Sequence, residues 1–255
     1  MTFDRRRYGK DNYTYLVGDG ADAALVDPGD PVVALGMAAA HGLRPRWILH
    51  THGHHDHTGG SAVLRARLGA RVLGHGGDAG GFAPDVDVAS ESEVALGGLR
   101  IRVHAVPGHT PGSVLYEWNG KLLTGDTIFW GGAGNCRNGG DPVRLAQGLL
   151  SVFPRLDDAL EVHPGHDYAE ENLLFVLDLE PSNAAAAARL AEVRSARAAG
   201  KEPPPGSLDS ERAVNPFLRG AEDAVAAEVA ARAPGAALRT PADVLVALRR
   251  LRDGW

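Results

Sequence analysis

The sequence predicts an α/β fold that carries a metal site, followed by a helical C-terminal domain. Up to residue 168, short β-rich runs alternate with glycine loops and short helices. The histidines and aspartates with ligand character stand just past the ends of those runs, and from residue 169 the texture turns to alanine-rich helix. Two domains are expected, 1–168 and 169–255.

The strand-like runs, in order, are "YTYLVG", "AALVDPGD", "RWILHT", "RVLGH", "LRIRVHAVPG", "SVLYEW", "KLLTGD" and "LEVHPGH". His52, Asp126 and His166 each follow such a run, where α/β folds assemble sites from sequence-distant loops. A helix is expected over about 61–68, and another over about 142–152, where Asp141 can cap and Pro142 takes the first helical position. Beyond Tyr168, "EENLLFVLDL", "NAAAAARLAEVRSARAA", "AEDAVAAEVAARA" and "PADVLVALRRLRD" all read as helix, separated by "GKEPPPGS" and "APGAALRT". No repeat period suggests a solenoid.

Composition excludes several classes. A formal charge of -6, with Lys and Arg scattered, argues against a nucleic-acid surface, and "DRRRYGK" at 4–10 reads as a solvated terminus. No 18-residue apolar window exists and the first ten residues lack the apolar core of a signal peptide, so neither a membrane span nor secretion is expected and a cytoplasmic location is. The single Cys136 rules out an internal disulfide and reads as a packed small residue. The oligomeric state is left open.

Five of the 11 histidines fall within residues 50–57. Residues 52–57 spell His-x-His-x-Asp-His, and imidazoles with a carboxylate suit borderline-soft divalent ions. A loop this tight can turn His52 and His54 to one side and Asp56 and His57 to the other, more ligands than one tetrahedral ion uses, so two ions are expected. Further ligands are offered by His109 in "VPGHTPGS", Asp126 in "LLTGDTIF" and His166 in "VHPGHDY". His50 and His55 are read as supporting or packing residues; His41, His75, His104 and His163 stand outside any ligand pattern.

These four motifs, in this order, resemble the metallo-β-lactamase superfamily and most closely its glyoxalase II (hydroxyacylglutathione hydrolase) branch. The resemblance extends to "DNYTYLV", "VDPGD", "GHDYAEENLLF", "ERAVNPFLR" and "LRRLRDGW". It implies an αββα sandwich followed by a smaller helical substrate-binding domain. It also implies His52, His54 and His109 on one ion, Asp56, His57 and His166 on the other, and Asp126 bridging. The ions expected are zinc, with iron or manganese as alternates.

Two such ions lower the pKa of a shared water from about 15.7 to near 7 and polarise a carbonyl. A thioester suits this chemistry because a thiolate leaves without obligatory protonation. The chain has no Gly-x-Ser-x-Gly elbow and no other covalent nucleophile in these motifs. The resemblance implies hydrolysis of small-molecule S-2-hydroxyacyl thioesters, S-D-lactoylglutathione to D-lactate and glutathione, with Asp56 orienting the nucleophile and Asp126 spacing the ions. The alternatives are a thioesterase for another thiol carrier, a mononuclear-iron persulfide dioxygenase, and a metal-binding module without catalysis.

For the carrier, Tyr168 and Arg219 match the resemblance, while Asn135 and Arg137 stand where the family usually has a Lys and an aromatic. Ser113 replaces a His common after Thr-Pro-Gly, and the basic residues expected just beyond Arg219 are missing from "GAEDAV". The expected substrate contacts are therefore Asn135, Arg137, Tyr168 and Arg219.

Overall fold

The computed structural model describes residues 1–78 and 82–255. Strands β1 (Thr2–Tyr8), β2 (Asn12–Asp19) and β3 (Asp22–Val26) form an antiparallel meander. After helix α1 (Pro31–Ala40), β4 (Trp47–Leu49) joins parallel to β3 and leads into α2 (His55–Thr58) and α3 (Ser61–Leu68). β5 (Arg71–Gly74) and β6 (Val86–Asp87) complete a six-stranded sheet ordered β1 to β6. β7 (Glu93–Leu96), β8 (Leu99–Ala105), β9 (Val114–Trp118) and β10 (Lys121–Gly125) run antiparallel in a second sheet. A small hairpin, β11 (Ile128–Phe129) with β12 (Gly132–Ala133), and α4 (Pro142–Val152) precede β13 (Glu161–Pro164), which closes the second sheet in parallel beside β10. Helices α5 (Ala169–Leu179), α6 (Ala184–Ala198), α7 (Leu208–Val214), α8 (Asp223–Arg232) and α9 (Pro241–Gly254) follow.

The side-chain period of two decides what each sheet face buries. Along β2 to β5, Tyr15, Val17, Ala24, Val26, Leu49 and Leu73 enter the core between the sheets, while Leu16, Ala23, Leu25, Ile48 and Val72 enter a second core. Ala34 and Met37 of α1 and Leu64 of α3 close that second core, so both faces of the strands are buried and their sequences read as continuous apolar runs. The layers are helix, sheet, sheet, helix.

Two of the expected helices lie where the sequence put them. Asp141 accepts from the Val143 and Arg144 amides to start α4, and Thr240 with Asp243 forms a capping box on α9 with Pro241 inside it. The basic terminus is a correction: "TFDRRRY" is the edge strand β1, in register with β2 from Thr2 opposite Gly18 to Tyr8 opposite Asn12. Arg5 is not free in solvent either, because its guanidinium lies over the Tyr13 and Trp130 rings. Helix α1 was not anticipated, although Asp30 and Pro31 give it the same start signal as α4.

One apolar core runs through the second sheet and into the C-terminal helices, from Leu115 and Leu122 through Leu145 and Leu149 of α4 to Leu173, Phe217, Val229 and Leu248. The change of texture at residue 169 is not a break in packing.

Candidate metal centre

β4 ends at Leu49, and the next eight residues cross the end of the sheet and enter α2. His52 and His57 are buried, His54 is half-buried, and the Asp56 carboxylate is half exposed. His109 follows β8, Asp126 follows β10 and His166 follows β13, all three buried. Gly125 holds a positive φ of 48° that swings Asp126 inward, and at Gly165 a Cβ would stand 2.3 Å from Asp126 Oδ1 and 2.8 Å from His57 Cε1. These glycines let the strand ends converge.

Seven expected ligands meet here. His52, His54 and His109 form one group and Asp56, His57 and His166 another, each with ligand atoms within 4.8 Å of one another. Between them, Asp126 Oδ2 lies 3.5 Å from His109 Nε2 and 3.3 Å from His166 Nε2, with Oδ1 3.4 Å from His57 Nε2. The ring nitrogens His109 Nε2 and His54 Nδ1 are 3.0 Å apart, as are His57 Nε2 and His166 Nε2.

Among the described residues, His52 Nε2 and Asp126 Oδ1 are buried with no hydrogen-bond partner. Buried polar atoms left unpaired are costly, and here they face a shared space, so the donor set fits divalent metal ions. The charge balance agrees. Burial opposes protonation of His166, yet Asp126, Asp56 and Asp11 push its pKa up to about 11. Burial likewise opposes the charge on Asp126, while His57 and His166 hold it well below the usual carboxylate range. The cluster attracts positive charge.

A layer of supports sets the ligands' directions, and most of it was not foreseen. Asp27 accepts from the Thr51 amide at 2.8 Å and from His57 Nδ1 at 3.2 Å, leaving His57 Nε2 to the centre. Asp78 accepts from the Gly53 and Gly112 amides at 2.9 and 2.8 Å, tying the loop of His52 to the loop of His109. His109 Nδ1 donates to the Asn135 carbonyl at 2.6 Å. Asp27 had a readable signal in "VDPGD" after a strand; Asp78 had none. His50 is a packing residue, its Nε2 2.6 Å from Ser61 Oγ and its ring against Phe82, and His55 lies exposed on α2.

Beside the ligands opens a cavity of about 360 Å³. The Tyr168 ring stacks on His166 at 4.9 Å and meets Phe129 at 5.1 Å, so one wall of the cavity is continuous with the centre. Asn135, Arg137 and Tyr168, three of the expected carrier contacts, line it. Arg219 does not: its guanidinium pairs with Glu180 and Glu222, and it belongs to the packing of the helices. Besides Arg137, the cations that line the cavity are Arg249 and Arg252 of α9, close to the C-terminal Trp255. Arg249 is committed to Asp253 at 2.9 Å and to the Ala133 carbonyl at 2.6 Å. Among the described residues, Arg252 has a single hydrogen bond, 3.3 Å to Asn172 Oδ1, and sits against the Phe175 and Trp255 rings. Both arginines stood in a segment read as helix and as family likeness, and helical spacing alone does not say which cation faces a ligand.

Comparison with known proteins agrees with this geometry. The family model described as the metallo-beta-lactamase superfamily matches residues 7–174, and the one described as the hydroxyacylglutathione hydrolase C-terminus matches 167–255. The hydroxyacylglutathione hydrolase of Anaeromyxobacter dehalogenans (strain 2CP-C) is 68% identical over 253 residues, 99% of either chain. Among solved structures, ETHE1 from Myxococcus xanthus is 35% identical with a TM-score of 0.61, covering 66% of this chain and 76% of its own. TTHA1623 in a di-iron-bound form is 26% identical with a TM-score of 0.63, covering 84% and 100%. The Myxococcus likeness leaves a third of the chain outside it, whereas the Anaeromyxobacter likeness runs from end to end. The chain therefore belongs to the hydroxyacylglutathione hydrolase family, metal-dependent thiolester hydrolases of the metallo-β-lactamase superfamily.

Proposed function

We propose that the protein hydrolyses S-2-hydroxyacylglutathione thioesters, S-D-lactoylglutathione foremost, to the 2-hydroxy acid and glutathione, with two zinc ions. The observation that carries this is the position of Asp126 between two three-residue ligand groups, beside a cavity lined by arginines. His52, His54 and His109 would hold one ion, Asp56, His57 and His166 the other, and Asp126 both. When bound, the ions supply Lewis acidity to the thioester carbonyl and acidify a water.

The chain's own groups do the rest. Asp56, half exposed at the mouth of the centre, can orient the attacking water through the carboxylate oxygen it does not give to an ion. Tyr168 and Phe129 form the apolar step between the acyl group and the carrier. Arg252, with no carboxylate partner in hydrogen-bond range among the described residues, is the group best placed to take a carboxylate of glutathione, in a fork that an arginine offers bidentately. Arg137 stands at the rim with its guanidinium bonded to the Asp253 carbonyl. Residues 169–255 thus supply much of the carrier wall, and 1–168 the chemistry. The leaving thiolate needs no general acid.

A cytoplasmic location belongs to the same reading; no helix among the described residues is long and apolar enough to cross a membrane. The test is steady-state hydrolysis of lactoyl thioesters of several cellular thiols, with metal analysis of the same sample. Saturable turnover preferring the glutathione ester, with two ions per chain, is expected. Preference for another carrier, or one ion with oxygen uptake, would overturn it.

A further inference from the structure

The turn between β1 and β2 reaches the metal centre from outside the ligand motifs. Its main chain is stitched to the loop that carries His166: the Tyr13 amide donates to the Gly165 carbonyl and the Asp167 amide to the Asp11 carbonyl, both at 2.8 Å, and Asn12 and His166 form an antiparallel bridge. Side chains add to these backbone ties, with Asn12 Nδ2 3.3 Å from His166 Nε2 and Asp11 against the same ring.

We propose that this turn is the positioning element of the second metal position, with Asn12 fixing the carboxylate of Asp56 and Asp11 fixing the imidazole of His166. Asn12 is buried, and its Nδ2 donates to Asp56 Oδ2 at 2.9 Å. The same turn begins at Tyr8, whose hydroxyl donates to the Asp56 main-chain carbonyl at 2.7 Å. Asp56 is therefore held at both its backbone and its carboxylate by residues four apart in sequence. Without the amide, this half-exposed carboxylate on a four-residue helix would keep only its neighbours within the ligand group, His166 Nε2 at 3.3 Å and His57 Nε2 at 3.6 Å.

The chemistry of the clamp suits its place. An amide N–H is a neutral donor, so it orients the carboxylate without competing with a cation as a Lys or Arg would. Asp11 Oδ1 lies 2.9 Å from His166 Nδ1. A carboxylate there holds the ring proton on Nδ1 and leaves the Nε2 lone pair turned to the centre, which also raises the basicity of the ligand.

This inference rests on assigning Asp56, His57 and His166 to one ion. Its test is the metal content of Asn12→Ala, Asp11→Ala and Asp11→Asn proteins as a chelator is titrated, with kcat and KM on the lactoyl thioester. Loss of one ion at about tenfold lower chelator is expected in both alanine variants, the other ion leaving as in the wild type, with kcat down about 10- to 100-fold and KM within about twofold. Asp11→Asn, which keeps an acceptor without charge, should recover part of the loss. Thermal unfolding of the metal-free proteins separates these effects from damage to the fold, and Asn12→Leu, similar in size but without a donor, replaces Asn12→Ala if that variant unfolds. Wild-type chelator profiles and kcat in the variants would overturn the inference. A wild type that binds two ions but does not hydrolyse the thioester would refute the proposed reaction, while the chelator profiles still decide the role of the turn.

Discussion

Asp126 Oδ2 lies 3.3 Å from His166 Nε2, forty residues apart in sequence, because β10 and β13 pair in parallel and end side by side with Gly125 opposite Pro164. Both side chains emerge from the same edge of the sheet. Asp126→Asn should lower kcat by two orders of magnitude or more and reduce metal content below two ions per chain, since an amide offers one uncharged oxygen where a carboxylate offers two charged ones. Metal analysis alongside single-turnover kinetics checks it; two retained ions with near-normal kcat would refute the bridging role.

The three candidate carrier arginines should separate in kinetics. A contact made equally in ground and transition states changes KM and leaves kcat alone. Arg252→Ala is expected to raise KM for the glutathione thioester several-fold. Arg137→Ala, whose guanidinium is largely exposed and already bonded to the Asp253 carbonyl, should raise it no more than about twofold, within what a screened surface contact provides. Arg219→Ala should leave KM unchanged and lower Tm, because it strands the Glu180 carboxylate. An Arg219→Ala protein with raised KM and unchanged Tm would reverse the assignment.

Glu211 on α7 is buried, and its Oε2 accepts from the Gly131 amide in the turn between β11 and β12. Burial raises its pKa from 4.5 to about 7, against the smaller lowering from the Gly131 amide and Arg189. A carboxyl with a raised folded-state pKa contributes stability that is present below its unfolded value and lost as pH rises through the folded one. The wild type should therefore lose stability between pH 4.5 and about 7 in a way that Glu211→Gln does not. The Tm of the variant relative to wild type should rise by several degrees from pH 5 to pH 8.5. Parallel pH profiles of the two Tm values would refute a buried titrating carboxyl.

Removing residues 169–255 should abolish folding and not merely substrate binding. Leu173, Phe217, Val229 and Leu248 share one core with the sandwich, and cutting them away uncovers apolar surface over Leu145 and Leu149. Far-UV circular dichroism and thermal melting of the 1–168 fragment would decide it, a cooperative melt being the contrary result.

The parts of this molecule that were legible in sequence are those with local signals. Strand runs buried on both faces, the capped starts of α4 and α9, and a histidine loop with a fixed spacing all write their structure into neighbouring residues. Edge strand β1 was not legible because a half-exposed edge tolerates "DRRR", whose charges look solvated when only composition is weighed. Arg219 and Arg252 illustrate the same limit at the site. Both are cations on or near helices of the tail, and only the packing of α9 on α4 turns one toward the cavity while Glu180 takes the other inward. Asp11, Asn12 and Asp78 act through contacts across 155, 44 and 25 residues of chain, distances over which no periodicity reads.

The turn at residues 8–12 also bears on when the protein can take up metal. Synthesis delivers the supports of Asp56 first, the cluster at 52–57 next, and His166 more than a hundred residues later. On the proposed ligand set, an emerging chain would present His52, His54, Asp56 and His57 to an ion in the surrounding solution before Asp126, the proposed bridge, is made. On that set, tight loading would follow closure of the second sheet by β13, which would couple ion capture to completion of the fold.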